Sequence, residues 1–326
     1  MVKSFAFYGD SAVGQVLAEN LQAAGFELAD SMETADAIFT YCLTQQQLED
    51  AYWDTDGILS KAKKDCCLVD LSPSTPSFAK ELYALARVSE LQALDAPLTV
   101  KDITSQKAFG DAGDVILLVG GEEEILDRMK PMLSALAHSI RFMGVPGSGQ
   151  LAKVSQTIQL SAQLVALVES HAICRANEEK AFDAVSAAVD DGLLSPYAAR
   201  LCRAVEDREF NGTYSAQVLL SELQAVLNTS EDTDVVLPQS EACLRLVELF
   251  LVVGGTDMNA TALGLVYADK KESDAYHLDW SRAETLYQQG HDDDDDDDGE
   301  YDPRTEFDDF EGDDGYAGGY GAFSSN

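Results

Sequence analysis

Up to Gly144, short runs of apolar side chains alternate with stretches whose apolar positions recur every three to four residues. The runs Lys3–Gly9, Ala37–Cys42, Cys66–Leu71, Leu91–Leu94, Asp114–Val119 and Ile140–Met143 read as buried strands, and Phe26–Asp30 as a further candidate. Between them, Gln15–Ala24, Gln45–Lys64 (broken near Asp56 and Gly57), Ser77–Ala86 and Glu122–Ala137 carry helical periodicity. Thr99–Gly113 reads as a polar loop. Strands alternating with helices predict an α/β domain, a mostly parallel sheet with helices on both faces.

The pattern then changes. Pro146, Gly147 and Gly149 open a stretch that runs to Asn177 without further Gly or Pro, with apolar residues at helical spacing. At about 1.5 Å per residue this is a helix of roughly 40 Å, long enough to run from one domain into the next. Beyond Asn177 the chain is nearly all helix: Ala181–Asp191, Pro196–Glu206, Thr213–Asn228, Gln239–Val253, Met258–Tyr267 and a short Trp280–Gln289. The expected division is 1–146, 147–290 and an acidic tail, 291–326.

Two features complicate the first domain. Phe26–Asp30 and Ala37–Cys42 are separated by only six residues, and adjacent parallel strands need a crossover of roughly a dozen. Either the second βαβ unit is truncated or Phe26–Asp30 is not a parallel strand. The turn after the first strand, Gly9, Asp10, Ser11, Ala12, Val13, Gly14, reads either as a dinucleotide fingerprint with serine at its middle glycine or as a strand–helix turn whose two glycines serve packing only. Its outer glycines suit a tight turn and close helix packing; Ser11 adds a Cβ that either crowds a diphosphate or hydrogen-bonds to it. Asp30 is placed to grip an adenosine ribose or to sit in a surface turn, and without a neighbouring Arg it favours NAD over NADP. Lys153, in the first turns of the long helix, is either a solvated helix lysine or a residue of the interdomain cleft.

Composition narrows the partners. The formal charge is −36; residues 291–326 hold 15 acids, seven of them consecutive aspartates, and one arginine, leaving −22 on the rest. Nucleic acid and anionic membranes, which need Lys and Arg against phosphate, are not expected partners. The tail reads as disordered and solvating, the alternative being a docking tail for a basic partner or a loose divalent-cation binder. The six cysteines show no metal-ligand or disulfide spacing, which suits buried thiols in a cytosolic protein. No signal peptide or membrane-length apolar run is evident.

Five segments, in order, resemble the β-hydroxyacid dehydrogenase family: Gly9 to Leu21; Asp70, Ser72, Thr75 and Pro76; Asp95, Ala96 and Pro97; Gly113 to Gly121; and Gly147, Gly149 and Lys153. The resemblance implies a Rossmann-type domain, a long interdomain helix, an all-helical domain that often makes homo-oligomers, and NAD(P)-linked oxidation of a small 3-hydroxy acid. It makes Lys153 the catalytic residue, assigns substrate contacts to Thr99, Val100, Lys101, Gln156 and Thr157, and assigns cofactor contacts to the Gly9–Gly14 turn, Asp30, Cys42, Leu43, Ser72 and Ser221. A lysine in reach of a carbinol oxygen can take or return its proton.

Departures fall at site positions. Thr99, Val100 and Lys101 stand where the family has Ser-Gly-Gly; Leu43 replaces a proline; Thr157 replaces an asparagine; and Ser221, Glu222 and Leu223 replace Lys-Asp-Leu. Lys101 or Lys107 could replace the lost anion contact. Two functions are consistent with this pattern: an NAD(P)-dependent dehydrogenase with altered substrate, or a catalytically silent relative acting as a nucleotide-binding or interaction module.

Overall fold

The computed structural model describes residues 2–9, 11–110 and 113–285, so Asp10 and the acidic tail 291–326 lie outside the described residues. The first half forms an eight-stranded sheet: β1 (Ser4–Tyr8), β2 (Glu27–Leu28), β3 (Ala37–Thr40), β4 (Cys67–Asp70), β5 (Gln92–Asp95), β6 (Leu98–Val100), β7 (Val115–Gly120) and β8 (Ser139–Gly144). The order is β2-β1-β3-β4-β5-β7-β6, with β8 also on β7. β1 to β5 are mutually parallel, β7 is antiparallel to β5 and β6, and β8 is parallel to β7.

The truncated second unit is real. β2 lies on one side of β1 and β3 on the other, so residues 29–36 do not join neighbouring strands and need no crossover helix. They pass around the start of β1, where the Asp36 carboxylate accepts from the Lys3 and Ser4 amides and pairs with Lys63 Nζ at 2.6 Å.

Two apolar cores explain the alternating pattern. α1 (Ala12–Ala23) and α5 (Glu123–Leu136) bury Leu17, Leu21, Met129 and Leu133 on one face of the sheet. α2 (Gln45–Trp53), α3 (Ile58–Lys61) and α4 (Pro76–Val88) bury Leu48, Ile58, Phe78 and Leu82 on the other. Cys42, Cys66, Cys67, Cys202 and Cys243 are buried.

The long helix α6 (Ser148–Ala176) has 29 residues, about 43 Å of rise. It begins against the sheet and continues among α7 (Ala181–Asp190), α8 (Pro196–Glu206), α9 (Ala216–Asp232), α10 (Pro238–Phe250), a 3₁₀ segment (Ala260–Tyr267) and α11 (Lys270–Ala275). The core on the α1 face is continuous with that of the helical half.

The segment read as a polar loop behaves differently. Its start is β6, paired to β7, and it then enters the helical half with Ile103, Ala108 and Phe109 buried. Phe109 stacks on Tyr214 at 6.0 Å, its amide donates to Thr213 Oγ1, and Asn259 Nδ2 donates to the Ile103 carbonyl. Three apolar residues among Lys, Ser, Thr and Gly give no periodic signal, although they pack as tightly as a strand would.

Candidate functional site

The parallel strands end in register. Tyr8, Thr40, Asp70 and Asp95 are successive partners across β1, β3, β4 and β5, and Gly120 and Gly144 continue the row. In open α/β sheets ligands bind beyond this carboxyl edge.

At its β1 end lies a cavity of about 610 Å³ lined by Gly9, Ser11, Tyr41, Cys42, Leu43, Thr44 and Gln217 among others. Gly9 has φ +125°, and a Cβ there would stand 2.2 Å from the Tyr41 carbonyl oxygen, so glycine is required. Ser11 is the N-cap of α1: its hydroxyl accepts from the Gly14 amide at 3.1 Å, keeping its own hydrogen for a ligand. A bare backbone turn against a helix start is a site for a diphosphate, and these residues fit the middle of a dinucleotide.

The second centre surrounds Lys153. Its Nζ lies 2.6 Å from Glu222 Oε1, with both side chains buried. Glu222 Oε2 accepts from Thr157 Oγ1 at 3.0 Å and Tyr214 OH at 2.7 Å, so both carboxylate oxygens are engaged. Lys153 and Thr157 lie one helical turn apart on α6, and Glu222 projects from α9. Burial first, and the Glu222 carboxylate second, push the Tyr41 and Tyr214 hydroxyls well above the ordinary phenol range. Tyr41 thus belongs to both centres, lining the turn cavity and lying within the field of Glu222.

Between them runs a buried seam that fixes the start of α6. Asp95 accepts from the Gly147 and Gln150 amides at 2.8 and 3.0 Å; a Cβ at Gly149 would lie 2.7 Å from its Oδ2. Gln150 Nε2 donates to the Ser72 carbonyl, and Gln150 Oε1 accepts from the Ser74 amide. Asp70 accepts from Thr40 Oγ1, the Ser72 amide and Ser74 Oγ. Burial, and more weakly the charge of Asp95, push the Asp70 carboxyl up to about 6 despite those hydrogen bonds.

The sequence-expected residues therefore divide. Gly9, Ser11, Cys42 and Leu43 meet at the turn cavity, Ala12, Val13 and Gly14 form the first turn of α1 beside it, and Lys153 and Thr157 meet at the ion pair. Several others are placed elsewhere. Asp30 is exposed and lines a separate depression with Glu27 and Thr34, because β2 ends after two residues. Ser72 is fully buried in the seam, its hydroxyl accepting from the Cys42 amide at 2.9 Å.

Gln156 is exposed on the outer face of α6, lining a groove with Gln159 and Tyr197, because it lies about 100° round the helix axis from the buried Thr157. Thr99 and Val100 are strand residues paired with Ile116 and Val115 instead of a binding loop. Lys101 is exposed, with its amine on the Gly113 carbonyl at 2.5 Å, and Lys107 is also exposed. Ser221 is buried, and its hydroxyl has no partner among the described residues.

Glu222, Tyr41, Tyr214 and Gln217 are the residues that sequence reasoning missed. The one available signal was Glu222: an acid directly after Ser221, where the family pattern also has an acid. Among the described residues no cluster of His, Cys, Asp and Glu could hold a metal, and no helix is long and apolar enough to cross a membrane.

A family model described as the NAD binding domain of 6-phosphogluconate dehydrogenase matches residues 9–144. The chain is 25% identical over 284 residues to an NAD-dependent L-serine dehydrogenase of Pseudomonas aeruginosa, covering 78% of this chain and 94% of that one. It is 26% identical over 287 residues to 2-hydroxy-3-oxopropionate reductase of Escherichia coli, covering 79% and 94%. Among solved structures, 3-hydroxyisobutyrate dehydrogenase of Mycobacterium tuberculosis with L-serine superposes with a TM-score of 0.70 at 21% identity, over 82% of this chain and all of that one. That last likeness speaks to the fold, a mostly parallel sheet followed by a helical half. With the ordered motifs and the turn cavity, the family model and the relatives place the chain in the β-hydroxyacid dehydrogenase family, as a divergent member.

Proposed function

We propose that the chain is an NAD(P)-dependent oxidoreductase that interconverts a small hydroxy acid and its oxo form, with Lys153 and Glu222 handling the proton. The observation that carries this reading is the buried contact of Lys153 Nζ with Glu222 Oε1 at 2.6 Å, in a site that shares Tyr41 with the dinucleotide cavity. The turn residues Gly9 and Ser11 and the start of α1 hold the diphosphate. When bound, the nicotinamide supplies or accepts the hydride.

Lys153 exchanges the proton with the substrate oxygen. In reduction its ammonium donates to the oxygen that gains charge; in oxidation it first passes a proton to Glu222 Oε1 and then takes the hydroxyl proton. Thr157 and Tyr214 hold Glu222 in place through its other oxygen. The named compounds of the relatives, L-serine, 2-hydroxy-3-oxopropionate and 3-hydroxyisobutyrate, are the starting substrate panel. Because Thr99 and Val100 are held in a strand and Lys101 bonds a carbonyl, a substrate carboxylate is gripped differently here.

One observation favours a second reading, a nucleotide-binding protein without turnover. Lys153 is only 5% exposed, its amine is taken by Glu222, and Tyr214, which bonds the same carboxylate, is itself covered by Phe109. Titration with NADH and NADPH, followed by energy transfer from the protein's Trp and Tyr residues, tests the shared step. Absence of binding at millimolar cofactor removes both readings. Binding with turnover of the panel supports the enzyme, and binding without turnover supports the silent module.

A further inference from the structure

The chain crosses from one side of β1 to the other after β2, since β2 pairs with one edge of β1 and β3 with the opposite edge. The carboxyl ends of β1 and β3 therefore flank the switch point of the sheet, where open α/β sheets take their ligands. Gly9 follows one of these strands and Tyr41 the other, and the missing Cβ of Gly9 lets the two backbones close up. The Tyr41 amide donates to the Tyr8 carbonyl at 3.0 Å, so the backbone that carries the phenol is fixed.

Strand alternation sets the side of the sheet on which the Tyr41 ring lies. Ala37, Phe39 and Tyr41 belong to the core on the α1 face, which runs on into the helical half and takes in Phe109 and Tyr214. Ile38 and Cys42 belong to the opposite core. The ring is thus on the side of the Lys153 centre while still lining the turn cavity. Buried phenols ordinarily find a partner: Tyr52 is bonded to Thr40, Tyr197 to the Ile103 amide and Tyr214 to Glu222. Tyr41 is 2% exposed, yet its hydroxyl bonds none of the described residues. Burial first, and Glu222 second, hold it far above the ordinary phenol range, so it keeps its proton. A protonated donor without a partner stands between the cavity and the ion pair.

We propose that Tyr41 is a second catalytic residue, its hydroxyl donating a hydrogen bond to the same substrate oxygen with which Lys153 exchanges a proton. The proposal rests on the dehydrogenase reading of the site. In reduction the carbonyl carbon accepts a hydride from the bound nicotinamide, and the C=O electron pair moves onto oxygen. That oxygen takes its proton from the Lys153 ammonium. The phenol keeps its own proton throughout and stabilises the oxygen as charge develops there. A neutral donor suits this place, because Glu222 already balances Lys153 and a second buried cation would need a second counter-charge.

The test compares the full chain with Tyr41→Phe, which keeps the ring, and Tyr41→Met, which keeps the apolar bulk, with thermal melting of each protein as a folding control. The probes are 2-hydroxy-3-oxopropionate and other small 3-oxo acids. Single-turnover oxidation of bound NADH should be about 100-fold slower in both variants, with NADH affinity unchanged. A second readout needs no turnover. Binding of the oxo acid to the complex with oxidised cofactor should weaken about five-fold in Tyr41→Phe, and the near-ultraviolet tyrosine difference signal it raises in the parent should be missing. Equal rates in a folded Tyr41→Phe, equal oxo-acid affinity, or a loss confined to NADH affinity overturns the proposal and leaves Lys153 and the cofactor reading intact. A parent chain that binds no NADH, or binds it without turning over any of the oxo acids, overturns the dehydrogenase reading itself, and the proposal with it.

Discussion

The turn cavity and the Lys153 centre lie close together yet are built in opposite ways. The cavity is assembled largely from Phe7–Gly9 with Ser11 and from Tyr41–Thr44, and Asp50 is the one charged residue among its described lining. The Lys153 centre draws on α6, on Tyr214 just before α9, on Glu222 within it, and on the Phe109 segment that covers Tyr214; it is closed and carries charge in its interior. A buried ion pair in such a place is weak evidence for stability, because desolvation offsets much of the attraction. Its retention makes sense if the pair moves a proton. The cavity is thus shaped by local backbone geometry, whereas the surroundings of Lys153 are set by long-range packing.

Removing one charge separates the two centres most strongly. Glu222→Leu leaves Lys153 buried without a counter-charge and should cost about 3–5 kcal/mol in urea unfolding, most of it recovered by adding Lys153→Met. A single-variant cost below about 1 kcal/mol would mean the pair is solvated, as surface pairs are.

Gly9→Val attacks the other centre. Its Cβ meets the Tyr41 carbonyl in a backbone conformation that valine resists, so stability should fall by about 1–3 kcal/mol and NADH binding should be lost. Retained NADH affinity in a folded Gly9→Val protein would place the nucleotide elsewhere.

The seam gives a pH-dependent prediction. Burial raises the folded Asp70 carboxyl to about 6 from 3.8, so its contribution to stability is complete below pH 3.8 and is lost as pH rises through 6. Asp70→Asn should therefore be more stable than the parent above pH 6, by up to about 3 kcal/mol, with the gain vanishing toward pH 4. Melting curves across pH 4–8 check this, and a gain independent of pH would refute it. The smallest effect is at Ser221. Replacing its unpartnered hydroxyl with alanine should stabilise the ligand-free protein by about 0.5–1 kcal/mol, read from the same melting curves.

Legibility in the sequence divides along the same line. The alternation of buried runs and amphipathic stretches predicted the parallel sheet, and the glycine-free stretch after Gly149 predicted α6, because both patterns are periodic over many residues. The six-residue gap before Ala37 correctly pointed to a shortened unit, since chain length limits what a connection can span. Lys153 and Thr157 could be paired from helical spacing alone.

The surroundings of Lys153 were not legible. Glu222 is 69 residues away in the chain, and the burial of Phe109 depends on Thr213 and Asn259 holding a segment that looks polar. Gln156 misled because one helix residue was assigned from a motif without its rotation about the axis, and Thr99–Lys101 misled because β7 takes up a segment expected to be free.

Function turns on whether Lys153, held by Glu222, exchanges the substrate proton beside a cofactor seated on the Gly9 turn. Single-turnover oxidation of bound NADH by small 3-oxo acids, in the full chain and in Lys153→Met, decides this directly. The variant should bind NADH as tightly as the parent but turn it over roughly 10²–10⁴-fold more slowly. Equal rates in the two proteins would remove Lys153 from the chemistry.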